Sequence, residues 1–561
     1  MVVFAKAGAF GLVGLFILNP LQKIISRRPS NWVFALVGAG AFAVLLGTYI
    51  RIWSPDYGIT RFIIIGHELN QRGLDVYRAT PKYMDPYPPD RWGFDGQYYA
   101  QLALDPLLRD PQIKQAIDSP PYRARRILLP WLAWLGGLGR PFWVLNVYAG
   151  LNLVFWLGFA VMMAVLFRPC GWAGVAGFAA MLLTCGIIES MRGSLPDFPS
   201  FVLMTLAVMI GGTGGAGVLA LAALTREVSV LGLAGLVEFS RPWLQALKRN
   251  FWIGLIAVGP MLLWFAYIAW RLRMHASVDG DNMDWPMQAI GRKLGEFIVM
   301  ATQGGIRWSK FYRDYELHAL LTIIATLTQC IYLLTHRAWE NRLWRMAAVF
   351  VPFFLCIGDP AWESHFTVTR HALPITLGFN LFLAMRPGRR WLWWFLLGNC
   401  FVPYGVFEFS SYGSETPPHK EFTVAGAPSV NTYVDVHQGT GWFSGESSRN
   451  IIWRWAAGQN ATLVISNGRS HPLEGELAFS TTSPVARDLR VSVRNRVIWS
   501  GQIDFARSSV GTMKFILPPG ETVVSFATSS PPASRGIDDP RELTFMLADF
   551  RLTVTEPPPA R

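Results

Sequence analysis

The chain is predicted to be a polytopic α-helical membrane protein of about 11–13 membrane helices, followed by a C-terminal all-β sandwich or jelly roll. Three observations predict it. Of 561 residues, 52% are hydrophobic and 14% aromatic, and mean hydropathy is +0.29, a composition that excludes an ordinary soluble enzyme. Lysine and arginine gather in short segments between apolar runs, so the formal charge of +13 reads as the positive-inside pattern and not as a nucleic-acid footprint. From about Ser410 onward the long apolar runs give way to short ones that alternate with polar residues. The predicted division is a transmembrane region over residues 1–409, with a large first external loop over 54–126, and a β domain over 410–561.

In chain order, Gly8 to Leu18 is apolar, but only Lys6 precedes it and no small-residue cleavage site follows. It reads as a retained extra or re-entrant helix, with an interfacial helix as the open alternative. Asn31 to Trp53 offers ~20 apolar residues, enough to cross a bilayer. Lys23, Arg27 and Arg28 place its start in the cytoplasm, so the loop from Ser54 to about Arg126 is external, which in a bacterial inner membrane means the periplasm. Ile127 to Gly139 is short for a span and is read as interfacial, and Pro141 to Phe167 spans fully. Val175 to Ile188 and Phe198 to Ile210 follow, joined by the polar stretch Glu189 to Asp197, and an apolar run reaches Phe239 with Thr225-Arg226-Glu227 inside it.

Two topologies satisfy this stretch. In the first, Ile127 to Gly139 lies on the surface and Val218 to Phe239 is two half-helices meeting the outer leaflet at Arg226-Glu227. In the second, both are simple spans. The first is preferred because ionised side chains at the bilayer centre are costly, and it puts Asp197 on the side of Asp95. Beyond it, Trp252 to Trp270 runs outward to a second external loop with an amphipathic helix around Pro286 to Ala301. Ala319 to Leu334, Met346 to Ile357, Pro374 to Met385 and Trp391 to Phe407 then alternate direction, so parity leaves the C-terminal domain periplasmic. In that domain, turn signals such as Asn467-Gly468 and Pro518-Pro519-Gly520 separate alternating segments such as Leu489 to Val493 and Phe550 to Val554. About eight strands over ~140 residues are expected.

Among residues suited to chemistry, Asp95 stands out in Gly93-Phe94-Asp95-Gly96-Gln97-Tyr98-Tyr99. Gly96 admits a close ligand, Tyr98 and Tyr99 offer ring faces and hydroxyls, and a carboxylate there can serve as general base. The bland alternative is a helix cap over Gly96 to Leu104. Asp85, Asp90 and Asp105 compete less well, Asp105 before Pro106 being a helix terminator. Tyr122-Arg123-Ala124-Arg125-Arg126 gathers three guanidinium groups at the membrane edge, suited to gripping phosphate or to snorkelling toward anionic headgroups. Arg226 and Glu227 interrupt an apolar run and, being adjacent, address different partners. Arg226 is a candidate phosphate ligand or half of a structural ion pair. Arg192 and Asp197 join the site in the preferred topology, and Glu363 and His365 are candidate acceptor-side groups.

Other chemistries lose support. The five cysteines all lie in or beside apolar runs and form no CxxC metal site or disulfide framework. Gly-x-x-x-x-Gly-Lys-Ser/Thr, Gly-x-Ser-x-Gly and His-Glu-x-x-His motifs are absent, and no feature requires a metal or other cofactor.

With the Phe94 to Tyr99 block, Tyr122 to Pro130 and Leu224-Thr225-Arg226-Glu227 in place, the chain resembles the GT-C superfamily of polytopic glycosyltransferases over roughly residues 30 to 410. The resemblance implies a polyprenyl-phosphate-linked sugar donor, a glycan acceptor and an inverting transfer. It implies Asp95 as base on the acceptor and Arg125, Arg126 and Arg226 as donor-phosphate ligands; from the residues themselves, Tyr98, Tyr99, Tyr122, Arg123, Asp197 and Glu227 are the substrate-binding candidates. Many members carry paired acidic residues in this loop, and here no second one adjoins Asp95. A non-enzymatic lipid or polysaccharide transporter is the alternative from the same spans. The C-terminal part resembles β-sandwich modules of such transferases, where Trp442, Trp453 and Trp455 either form a sugar platform or pack in the core.

Overall fold

The computed structural model describes residues 29–84, 93–239, 242–273, 283–303, 315–362, 367–412, 422–426, 434–443, 446–448, 451–505, 508–511, 514–534 and 542–557. Gly8 to Leu18, Asp85, Asp90, Glu363 and His365 lie outside them. The chain divides into two units, one of Met1–Asp85 with Trp92–Ser414 and one of Pro86–Arg91 with Glu415–Arg561.

Among the described residues of the helical unit, four stretches are long and apolar enough to cross a membrane: Asn31–Ile52, Pro141–Arg192, Trp243–Leu272 and His318–Thr335. Helix α1 (Asn31–Ile52) buries Phe34, Ala41, Leu45, Tyr49 and Ile52 while Trp32, Leu36 and Ile50 stay exposed. A helix apolar all round, with one stripe packed on protein, is what a lipid-facing span requires. Helices α2 (Gly96–Leu104) and α3 (Leu128–Gly136) have nine residues each, about 13 Å at 1.5 Å per residue. That is too short to cross ~30 Å of hydrocarbon, so α3 has the length of an interfacial helix.

Helix α4 (Pro141–Phe167) is the full span the sequence predicts. After it come α5 (Gly171–Leu182), α6 (Cys185–Arg192), α7 (Asp197–Ile210) and α8 (Gly212–Thr225). The last two cross tightly: a Cβ on Gly215 would lie 2.4 Å from the Ala207 carbonyl, so only glycine permits the approach. The α8 helix ends at Thr225. Arg226 is extended (φ −159°, ψ 124°), and Glu227–Gly232 and Leu233–Leu236 form two short turns. The run Val218 to Phe239 is thus broken at its charged pair, as the first topology predicts.

Helix α9 (Trp243–Leu272) begins before the predicted Trp252, because its first turns extend past the apolar run and carry Lys248 and Arg249. Its other end meets the first loop, where Trp264 Nε1 donates to Ala124 O (2.8 Å) and Tyr267 OH to Leu107 O (2.7 Å). Next are α10 (Gln288–Gln303), α11 (Tyr315–Thr335), α12 (Arg342–Leu355), α13 (Leu373–Met385), α14 (Trp391–Gly398) and α15 (Val402–Ser411). The last pair corrects a prediction, since Trp391 to Phe407 is two helices and not one span. Pro403 has no N–H to give the Asn399 carbonyl, which accepts from Val402 N–H (3.0 Å); Gln329 Nε2 donates to Gly398 O (2.7 Å), and Asn399 and Asn380 exchange amide hydrogen bonds (3.0 and 3.1 Å). Thr48 Oγ1 donates to Phe409 O (3.2 Å) and Tyr412 OH to Arg61 O (3.1 Å), so α1 and α15 end beside the first loop.

The second unit is a β-sandwich. One sheet runs β10 (Phe515–Leu517), β6 (Leu473–Thr482), β14 (Met546–Thr555), β4 (Ile451–Trp455) and β3 (Glu446–Ser448), with β1 (Phe422–Ala425) parallel to β14 and β9 (Ser508–Gly511) on β6, and the other runs β2 (Val434–Gln438), β5 (Asn460–Asn467), β11 (Gly520–Ala527), β7 (Arg487–Val493) and β8 (Arg496–Ile503). The central strands are β5 (Asn460–Asn467), β6 (Leu473–Thr482), β7 (Arg487–Val493), β11 (Gly520–Ala527) and β14 (Met546–Thr555). Their inward residues, Leu463, Ile465, Leu489, Val491, Val524 and Phe526 of one sheet and Leu477, Phe479, Phe550, Leu552 and Val554 of the other, make one core. The alternation at 489–493 and 550–554 is therefore sandwich alternation. Fourteen strands are described where about eight were expected. The surplus is strands of two to four residues, such as β3 (Glu446–Ser448) and β12 (Ala533–Ser534), too short to show a period. Trp455 is buried, Trp453 packs beside it, and Trp442 donates to Thr462 O (2.8 Å) between Phe526 and Phe545. Trp455 packs as core, and Trp442 and Trp453 are half-buried against it and its neighbouring cluster.

Candidate active site

The backbone around Asp95 is pinned before any side chain acts. Ile65 and Gly93 form a bridge, and Phe94 N–H donates to Ile64 O at 2.9 Å. Gly96 opens α2 against the Gly193 carbonyl, and a Cβ there would sit 2.2 Å from that oxygen. Gln97 accepts from Gly66 N–H (2.9 Å), while Gln101 accepts from Leu74 N–H (3.1 Å) and donates to Ala116 O (3.2 Å). These buried amides tie the loop to the helix.

Asp95 occupies the N-cap position of α2 but makes no side-chain capping bond. Its carboxylate turns instead to Arg123, 3.1 Å away, and stays 32% exposed. Arg123 ends the short helix Pro120–Arg123, grips Asp118 through both oxygens (3.0 and 2.7 Å) and lies 4.6 Å above the Tyr98 ring. Burial by itself would raise the pKa of Asp95. The positive charges of Arg123 and Arg370, the hydrogen bond from Arg123 and the more distant Arg126 outweigh it and hold the carboxyl below its usual range. Asp95 is accordingly ionised, reachable and oriented.

Arg126 is buried and spends its donors on Tyr99 OH (2.6 Å), Tyr122 OH (2.6 Å) and both oxygens of Glu227 (3.1 and 3.2 Å). Arg226 faces the other way from the helix break, pairing with Asp197 in the first turn of α7 and bonding His371 Nδ1 at 2.9 Å. Because arginine only donates, Nδ1 of His371 accepts and the ring proton sits on Nε2. Burial, and then the charges of Arg226 and Arg370, hold the His371 pKa well below its ordinary value, so the ring is neutral. Arg125 lies 5.2 Å from the Phe265 ring and 6.0 Å from that of Tyr122. It has no carboxylate partner among the described residues.

All ten predicted site residues thus fall in one contiguous network: Asp95, Tyr98, Tyr99, Tyr122, Arg123, Arg125, Arg126, Asp197, Arg226 and Glu227. Arg226 and Glu227 do address different partners. Arg192 lies nearby over the Tyr412 ring, at 5.3 Å. Three members had no local signal. Asp118 is a second carboxylate on Arg123, 23 positions from Asp95 in sequence but sharing its arginine. Arg370 lies 3.7 Å from Asp197 and 5.9 Å from the Phe94 ring, with His371 beside it. Arg370 ends the short turn Thr367–Arg370 and His371 follows it, both far away in sequence. Among the described residues no three of His, Cys, Asp and Glu converge as metal ligands do.

No protein-family model and no curated protein matches the chain. Among solved structures it is similar to the arabinosyltransferase EmbB from Mycobacterium smegmatis, determined by single-particle cryo-EM, at 12% identity and a TM-score of 0.25, covering 96% of this chain and 67% of that one. So loose a superposition carries no weight for the activity of this chain.

Proposed function

We propose that the helical unit is an inverting glycosyltransferase that moves a sugar from a polyprenyl-phosphate carrier to a periplasmic or lipid-linked glycan acceptor. The observation that carries this reading is Asp95: an accessible carboxylate kept ionised by arginines, in a loop joined to the ends of membrane-length helices. A base placed there can take the proton of an acceptor hydroxyl as it attacks the anomeric carbon. The carbon–oxygen bond to the carrier phosphate breaks as the new glycosidic bond forms on the opposite face. The departing phosphate keeps the electron pair, and the arginines around it stabilise the charge.

A lipid carrier follows from location. Nucleotide sugars are made in the cytoplasm, and the positive-inside pattern puts the Asp95 loop on the other face of a bacterial inner membrane. The donor must therefore present its sugar at the membrane surface, where partial desolvation strengthens charge-assisted bonds to phosphate. Of the predicted ligands, Arg125 has a guanidinium without a carboxylate partner among the described residues, whereas Arg126 and Arg226 approach the phosphate already paired with Glu227 and Asp197. Tyr98 and Tyr99 line the acceptor side. The test is a reconstituted assay with a panel of polyprenyl-phosphate sugars, read by mass spectrometry for gain of one sugar unit on the acceptor. Movement of glycan without any new glycosidic bond, or transfer from a soluble nucleotide sugar with no lipid carrier, would overturn the proposal.

A further inference from the structure

Carboxylates and guanidiniums in the network are unevenly matched. Arg123 stands between two carboxylates, Asp95 and Asp118. Arg126 and Glu227 match one to one. At the other end the ratio inverts, and Asp197 stands between two guanidiniums, Arg226 and Arg370. Of these two, Arg226 has the close contact and a second partner in His371. Arg370 has only the 3.7 Å approach to Asp197 and makes no hydrogen bond among the described residues, and its buried Nε has no acceptor. The charges of Asp95 and Glu189 act on Arg370 from farther off, and neither carboxylate pairs with it; Glu189 of α6 accepts a hydrogen bond from Thr367.

A guanidinium carries five N–H donors, and proteins seldom leave such donors both buried and idle. The Arg370 side chain is 12% exposed, enough for a small anion to reach it. Its Cζ is 5.9 Å from the ring of Phe94, the residue before Asp95, which puts it within the span of a single sugar phosphate from the base. His371, held neutral, adds a ring N–H without adding charge. We infer that Arg370 is a further anchor for the donor: its free N–H groups hold the phosphate oxygens of the polyprenyl-phosphate carrier, and Asp197 fixes the guanidinium at the right height. This inference rests on the proposed function and names a residue of that same site.

The test uses the whole protein in nanodiscs, with farnesyl phosphate as probe and farnesol as its charge-free control. Arg370→Gln is expected to weaken farnesyl phosphate binding about ten- to a hundredfold, the range for one charge-assisted bond, with farnesol binding unchanged. Arg370→Lys, which keeps the charge but loses the planar fork, is expected to recover part of the affinity. Retained farnesol binding and an unchanged unfolding temperature show that the variant is folded. Farnesyl phosphate affinity in Arg370→Gln equal to that of the parent would overturn the inference, as would an unchanged donor KM in a chain that does transfer sugar. A parent chain that binds farnesyl phosphate through Arg370 yet transfers no sugar would instead overturn the proposed function and leave the anion site standing.

Discussion

The two ends of the ionic network make opposite use of the same residue types. At the Asp95 end one arginine serves two carboxylates, leaving excess negative charge beside an exposed oxygen. At the Asp197 end one carboxylate serves two arginines, leaving excess positive charge beside idle donors. A transfer that takes a proton from one reactant and leaves negative charge on the other needs this polarity, and it arises from placement, since the residue types are the same. The Arg126–Glu227 pair between them is balanced and closed, as a spacer should be.

The strongest way to break the comparison is to neutralise its acidic end. Asp95→Asn is expected to lower transfer about 10²- to 10⁴-fold, the range for loss of a general base, with unaltered expression and unfolding temperature. Asp118→Asn keeps Arg123 on Asp95 and is expected to cost roughly tenfold or less, because Asp118 is 40% exposed and solvent screens the lost pair. Equal losses from the two would show that the base is not Asp95 alone. The spacer comes next. Arg126→Ala leaves Glu227 and two tyrosine hydroxyls without their shared donor, and breaking a buried pair costs ~3–5 kcal/mol. Thermal unfolding in detergent should show Arg126→Ala with Glu227→Ala less damaging than the sum of the single changes. Additive losses would mean that the two do not act as a pair.

A finer test sharpens the electrostatics. Asp95 must be deprotonated to act, and its pKa is lowered in the folded chain, so the acid limb of the rate profile should lie below the ordinary carboxylate range. Arg123→Gln removes the largest of the lowering influences and should move that limb upward. A limb that stays put would separate Arg123 from Asp95. The smallest effect expected is on topology, with no change in activity. Gly193 is unsuitable for cysteine labelling because it is buried and a Cβ would meet the Phe94 ring at 2.6 Å. Gln115, exposed in the same loop as Asp118, is the better position. Gln115→Cys should react with an impermeant thiol reagent in cells with a permeabilised outer membrane. Reaction only after inner-membrane lysis would place the network on the cytoplasmic face.

Much of this was legible without coordinates. Composition and apolar run length determine that the first unit is built from membrane-length helices, because the bilayer sets both hydropathy and span. Period-two alternation determines the sandwich strands long enough to show it. Gly96, Arg226 and Glu227 announced themselves by standing where their neighbours were of another kind. The preferred reading of Ile127 to Gly139 as too short to cross agrees with the nine residues of Leu128–Gly136. What only the tertiary structure decided is pairing. Arg126 and Glu227 are 101 positions apart and Arg226 and His371 145, and no periodicity reaches across such intervals. Whether Asp95 caps its own helix or turns to Arg123 depends on where Pro120–Arg123 packs. Arg370, one arginine after a short threonine-containing turn, has nothing local to mark it. Its role depends on which groups surround it once the helices have closed, because a guanidinium's partners are set by distance in space and not along the chain.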